Sequence, residues 1–77
     1  MSYLQEFING AELKKGSAGE SVRKLQQKLM DMGALNDRVD GVFGSKTEAA
    51  VKVAQVQLGF EQTGKADEVF LDALYAQ

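Results

Sequence analysis

Residues 36–47 of this 77-residue chain bring together the side chains best suited to chemistry: Asn36, Asp37, Arg38, Asp40, Lys46 and Thr47. One short stretch thus offers an amide, two carboxylates, two cations and a hydroxyl, enough to exchange charge-assisted hydrogen bonds with a polar ligand. Asn36-x-Arg38-x-Asp40-Gly41 also falls in the phase of a calcium loop. However, Arg38 occupies a ligand position and the twelfth position is Thr47 rather than Glu, so no metal site is expected. Further acids at Glu48, Glu61, Asp67, Glu68 and Asp72 raise the question of a carboxylate pair of the glycosidase kind. A chain this short buries about 60% of its unfolded surface and has no depth in which to desolvate such a pair. It has no Cys and no His, so a serine would lack its usual base. Binding is expected here, with no catalytic residue and no cofactor.

Charge narrows the partners. Nine Lys/Arg against eleven Asp/Glu leave a formal net charge of -2. The front of the chain is slightly basic and the tail acidic, too weak a contrast for a polyanion, so no nucleic acid is expected. The longest apolar run, Ala73-Leu74-Tyr75-Ala76, is far below the ~20 residues of a spanning helix, and no membrane insertion is expected. Residues 1–8 show neither the basic nor the apolar part of an export leader, which leaves the location open.

Helical periodicity supplies the elements that must hold these groups. Tyr3, Leu4, Phe7 and Ile8 form a two-turn stripe stopped by Asn9-Gly10, a short extra helix in an N-terminal extension over 1–10. That stripe is expected either to clasp the domain, residues 11–77, or to pair with another protein chain. Val22, Leu25, Leu29 and Met32 predict a helix over about 20–32, closed by Gly33 and capped by a Ser17/Glu20 box. Val39, Val42 and Phe43 are expected to turn the following loop inward. Ser45 and Glu48 form a second box before a helix with Ala50, Val51, Ala54 and Leu58 on one face, ended by Gly59. The helix start at the Gly44–Thr47 corner offers donors to an anion, in competition with that box, which would satisfy them internally. Asp67 caps a last helix carrying Phe70, Leu71, Leu74 and Tyr75. Gln26 and Gln55 fall on or beside the buried faces, and Gln55 is expected to bond a loop carbonyl. The fold class is all-α, a compact three-helix bundle. A weak echo at an offset of 23 residues sets Gly41, Phe43, Gly44 and Thr47 against Gly64, Ala66, Asp67 and Phe70.

Leu13-x-x-Gly16-Ser17-x-Gly19-x-x-Val22-x-x-Leu25-Gln26-x-x-Leu29-x-x-x-Gly33 resembles the opening half of the bacterial peptidoglycan-binding domain family. Val39-Asp40-Gly41-x-Phe43-Gly44-x-x-Thr47-x-x-Ala50-Val51-x-x-x-Gln55 resembles its hallmark. Leu58-Gly59, and Gly64-x-Ala66-Asp67 through Ala73-Leu74, resemble its third part. The resemblance spans residues 13–74. It implies a non-catalytic module that binds the cell wall, through its glycan or its stem peptide, and tethers or targets a wall-active protein. On that footing Asn36, Asp37, Arg38, Asp40, Lys46 and Thr47 become candidate contacts to the wall.

Three positions depart from the family pattern. Ala54 and Ala34 stand where aromatic or bulky residues are usual, and Phe70 where Thr is usual, so the core is expected to repack with Phe70 filling volume that Ala54 vacates. The lost aromatics also support an alternative, a protein–protein adaptor of the same fold, as in a phage or secretion-tail assembly, that has given up saccharide contacts.

Overall fold

The structure, a computed structural model, describes residues 12–77. The expected helix over residues 3–8, and with it the clasp or pairing role of residues 1–10, lies outside the described residues.

Three helices follow in order: α1 (Glu20–Asp31), α2 (Ser45–Leu58) and α3 (Glu68–Tyr75). In α1, Val22, Leu25, Gln26 and Leu29 recur at helical spacing and are all buried. The helix ends at Gly33, whose φ of 81° is the left-handed conformation a glycine adopts without strain. The Leu29 carbonyl then accepts from Ala34 N at 2.8 Å and from Leu35 N at 3.1 Å, which turns Leu35 into the core. The middle helix, α2, packs against both α1 and α3. Its buried residues are small or polar (Thr47, Ala50, Val51, Ala54 and Gln55), so two neighbours can approach it closely. From α3 come Phe70, Leu71 and Leu74. Among the described residues there is no strand, and two isolated antiparallel bridges, Leu13 with Ala66 and Ala18 with Val42, tie the entry segment to the rest.

Phe43 and Phe70 are the largest fully buried side chains. Phe60 meets Phe70 edge to face, with centroids 5.6 Å apart and planes at 84°. Ala54 is fully buried in this same core.

Three local expectations are corrected. Ser17 does not cap α1. Gly19 holds the N-cap position, because residue 17 is still engaged in extended pairing, its carbonyl accepting from Phe43 N at 2.9 Å. The Ser17 hydroxyl instead accepts from Lys14 N at 3.1 Å. Nor does Ser45 cap α2. It is the first helical residue, and the N-cap is Gly44, which has no side chain to bond the helix start. Asp67 does cap α3, its Oδ1 accepting from Phe70 N at 2.9 Å. Finally, Phe43 points inward but Val42 is 53% exposed, since neighbouring side chains on extended backbone face opposite ways.

Candidate functional site

The site loop is built around one amide. Gln26, on α1 and 1% exposed, donates through Nε2 to Asp40 Oδ1 at 3.0 Å, Val42 O at 2.9 Å and Thr47 Oγ1 at 3.0 Å. Its Oε1 accepts from Asp40 N at 3.1 Å and Gly41 N at 2.8 Å. A single side chain thereby satisfies the polar groups of the whole turn and joins it to the first turn of α2. At the bend, Gly41 has a φ of 77°, a conformation that a Cβ would strain.

The same device occurs a second time. Gln55, on α2, donates through Nε2 to Thr63 Oγ1 and Lys65 O, both at 3.0 Å, and accepts from Gly64 N at 3.0 Å. Within each turn a side-chain oxygen accepts from the residue two ahead: Asp40 Oδ1 from Val42 N at 3.0 Å, Thr63 Oγ1 from Lys65 N at 3.1 Å. The next residue then pairs with the entry segment, Phe43 with Ser17 and Ala66 with Leu13. The 23-residue echo is therefore a repeated structural unit, a glutamine-clamped glycine turn followed by a helix. Sequence reasoning placed both glutamines near the core but missed that they form a pair of equivalent clamps. The signal that could have shown it was the echo itself, since each of its glycine turns is bonded by one of the two buried glutamines.

The two units differ in their loops. The first runs through residues 34–40 between its left-handed helix-end glycine and its turn glycine, the second through 60–63. The first loop is three residues longer, and at the 23-residue offset Asp37, Arg38 and Lys46 stand where the second unit has Phe60, Glu61 and Val69.

All six candidate residues border two neighbouring clefts. One, of about 260 Å³, is floored by Ala34, Leu35, Ala49, Ala50 and Val53 and rimmed by Asn36, Asp37 and Lys46. The other, of about 190 Å³, is bordered by Arg38, Asp40 and Thr47 and opens at the Gly44–Ser45 start of α2. Asp37 and Lys46 belong to both, and their charged atoms lie 3.9 Å apart. That pair is largely exposed and is worth about 0–1 kcal/mol, so it opens at little cost. The structure separates the six by duty. Thr47 is buried with its hydroxyl taken up by Gln26, and Asp40 Oδ1 is committed to its own turn. Asn36, Asp37, Arg38 and Lys46 take no part in the clamp.

The Asp40 carboxyl is held below its ordinary value of 3.8, chiefly by the Val42 N–H and next by the Gln26 amide, both of which bond the charged form. Since its folded pKa is depressed, the contribution of Asp40 to stability is complete above that ordinary value and is lost as pH falls through the folded one. An amide at this position keeps an Oδ1 acceptor without the charge. Asp40→Asn is therefore expected to flatten the acid limb of stability, read as urea midpoints between about pH 5 and about pH 2. An acid limb as steep as that of the unaltered protein would assign the loss to other carboxylates.

Among the described residues no group of three or more His, Cys, Asp or Glu side chains could hold a metal ion. The described residues form a small all-α domain of three helices. The profile of the family described as a putative peptidoglycan binding domain matches residues 18–74. The chain belongs to that family and is a peptidoglycan-binding module. It is 37% identical over 62 residues to a spore cortex-lytic enzyme of Oceanobacillus iheyensis, covering 80% of this chain and 22% of that protein. A spore cortex-lytic enzyme of Halalkalibacterium halodurans is 38% identical over 52 residues, covering 68% of this chain and 16% of that protein. The chain thus spans about a fifth of the length of these curated relatives. Among solved structures, the SleB N-terminal domain superposes with a TM-score of 0.84 at 31% identity, covering 87% of this chain and 92% of that one. A Burkholderia AP3 phage endolysin superposes with a TM-score of 0.80 at 30% identity, covering 86% of this chain and 25% of that one.

Proposed function

We propose that the module does no chemistry itself and holds a wall-active protein against its polymer, with Asn36, Asp37, Arg38 and Lys46 touching the wall. Asp40 and Thr47 act behind them, shaping the loop. The carrying observation is the internal comparison of the two glutamine-clamped units. Glutamine, glycine turn and packed helix recur in both and answer a structural need. Asp37, Arg38 and Lys46 face Phe60, Glu61 and Val69 at the equivalent places of the second unit, so the fold does not require their charges. The spore cortex-lytic enzymes and the phage endolysin are larger proteins of which the matching segment is a fraction, which fits a targeting role beside a separate lytic part.

Co-sedimentation with purified sacculi tests this. The unaltered protein is expected in the pellet after washing. Arg38→Ala and Lys46→Ala are each expected to weaken retention roughly three- to tenfold, with unchanged thermal unfolding. Supernatants that hold all the protein across salt concentrations would instead favour the adaptor reading. Retention unaffected by either substitution would move the contact surface elsewhere on the bundle.

A further inference from the structure

The two clefts beside Asp37 and Lys46 offer different things to a ligand. The larger is lined by the methyl groups of Ala34, Ala49 and Val53, whereas Arg38 borders the smaller and Lys46 borders both. Each is smaller than the ~300–1,000 Å³ of a pocket that encloses a whole small molecule, so each fits a side chain or an end group. Among the described residues, no aromatic borders either cleft, so neither presents the flat apolar face on which a pyranose ring stacks.

We propose that this surface reads the peptide of the wall and not its sugar chain: a short acidic peptide with small side chains. The proposal rests on the peptidoglycan reading above and narrows it. Lys46 and Arg38 are the cations available for a peptide carboxylate, and the apolar floor takes a methyl-sized side chain. An N-acetylated sugar also brings a methyl group, and a muramic residue freed of its peptide a carboxylate, but neither brings an amine to match Asp37. Lys46 is 78% exposed and only loosely paired, so it is free to turn from Asp37 to an incoming carboxylate. Asp37 is then left to accept from a peptide amine. A ligand bearing both charges therefore meets a complementary set, whereas a sugar chain, which brings no cation, would leave Asp37 unmatched. The second clamped unit carries Val69 in place of Lys46 and the shorter loop, so the surface is not duplicated there.

The test uses two fractions of one sacculus preparation, the stem peptides released by an amidase and the bare glycan strands left behind. The full chain, labelled with nitrogen-15, is titrated with each, and its pelleting with intact sacculi is measured in parallel. Peptides are expected to shift the amides of residues 34–38 and 45–50, and bare strands, whose muramic carboxylates come with no amine, to shift them only at roughly tenfold higher concentration. Lys46→Gln, which removes the charge, and Ala49→Leu, which fills the apolar floor, are each expected to weaken peptide binding roughly fivefold or more while the circular dichroism melt stays unchanged. If bare strands shift those amides and peptides do not, while sacculi still pellet the protein, the peptide proposal is overturned and wall binding stands. If intact sacculi do not retain the protein either, both fall.

Discussion

Replacing Gln26 with alanine is expected to lower the unfolding free energy by about 3 kcal/mol or more, a large part of what a domain this small possesses. The substitution removes every contact of the amide at once, two N–H groups shared among three acceptors and an oxygen that accepts twice. It strands the buried Gly41 N–H and the buried Thr47 hydroxyl, and an unmet buried polar group costs about 1–3 kcal/mol. Gln55→Ala breaks three comparable bonds and should cost less, about 2 kcal/mol. Urea unfolding followed by far-ultraviolet circular dichroism ranks the two. A Gln26→Ala protein as stable as Gln55→Ala would show that water replaces the lost amide, and the clamp would then be no more than one bond among many. Because the clamp positions the site loop, Gln26→Ala should also lose wall retention at temperatures where it remains folded.

Phe43→Ala has the second large effect, a loss of about 3–5 kcal/mol. The ring is 1% exposed, and its own backbone bonds the entry segment in both directions, N–H to Ser17 O and carbonyl from Gly16 N, each at 2.9 Å. Collapse around the missing ring is therefore resisted by backbone already tied down, which leaves a cavity rather than a repacked core. Phe43→Leu should recover more than half of the loss, because it restores most of the apolar volume. Equal thermal midpoints for Phe43→Ala and the unaltered protein would mean that the ring does not close this end of the bundle.

Helix content was legible from periodicity because each helix buries one narrow face. Val22, Leu25 and Leu29 recur at helical spacing on α1, as do Phe70, Leu71 and Leu74 on α3. The glycines at helix ends were legible for a different reason, since at Gly33 and Gly59 the chain must turn left-handed. The serine caps were misplaced because a cap depends on where the preceding chain stops being extended. At Ser17 a long-range pairing with residue 43 decides that point, and at Ser45 the glycine before it does. Val42 was misplaced for the same reason: its bridge to Ala18, not its apolarity, determines which way it faces.

The six candidate residues were singled out by type and crowding, which cannot tell a side chain that builds a loop from one that the loop displays. Asp40 and Thr47 proved to be builders once their partner on α1 was visible, 14 and 21 residues away in the chain. The alanine-floored cleft left no trace in the order of residues, for Ala34 and Ala49 come from separate elements. Local pattern was enough for three helices and the glycines that close the first two, because those obey forces acting over a few neighbouring residues. Which glutamine satisfies which turn, and which charges are then left over for a ligand, depended on the packing of α1 against the loop and α2, where one amide meets groups that no local rule connects.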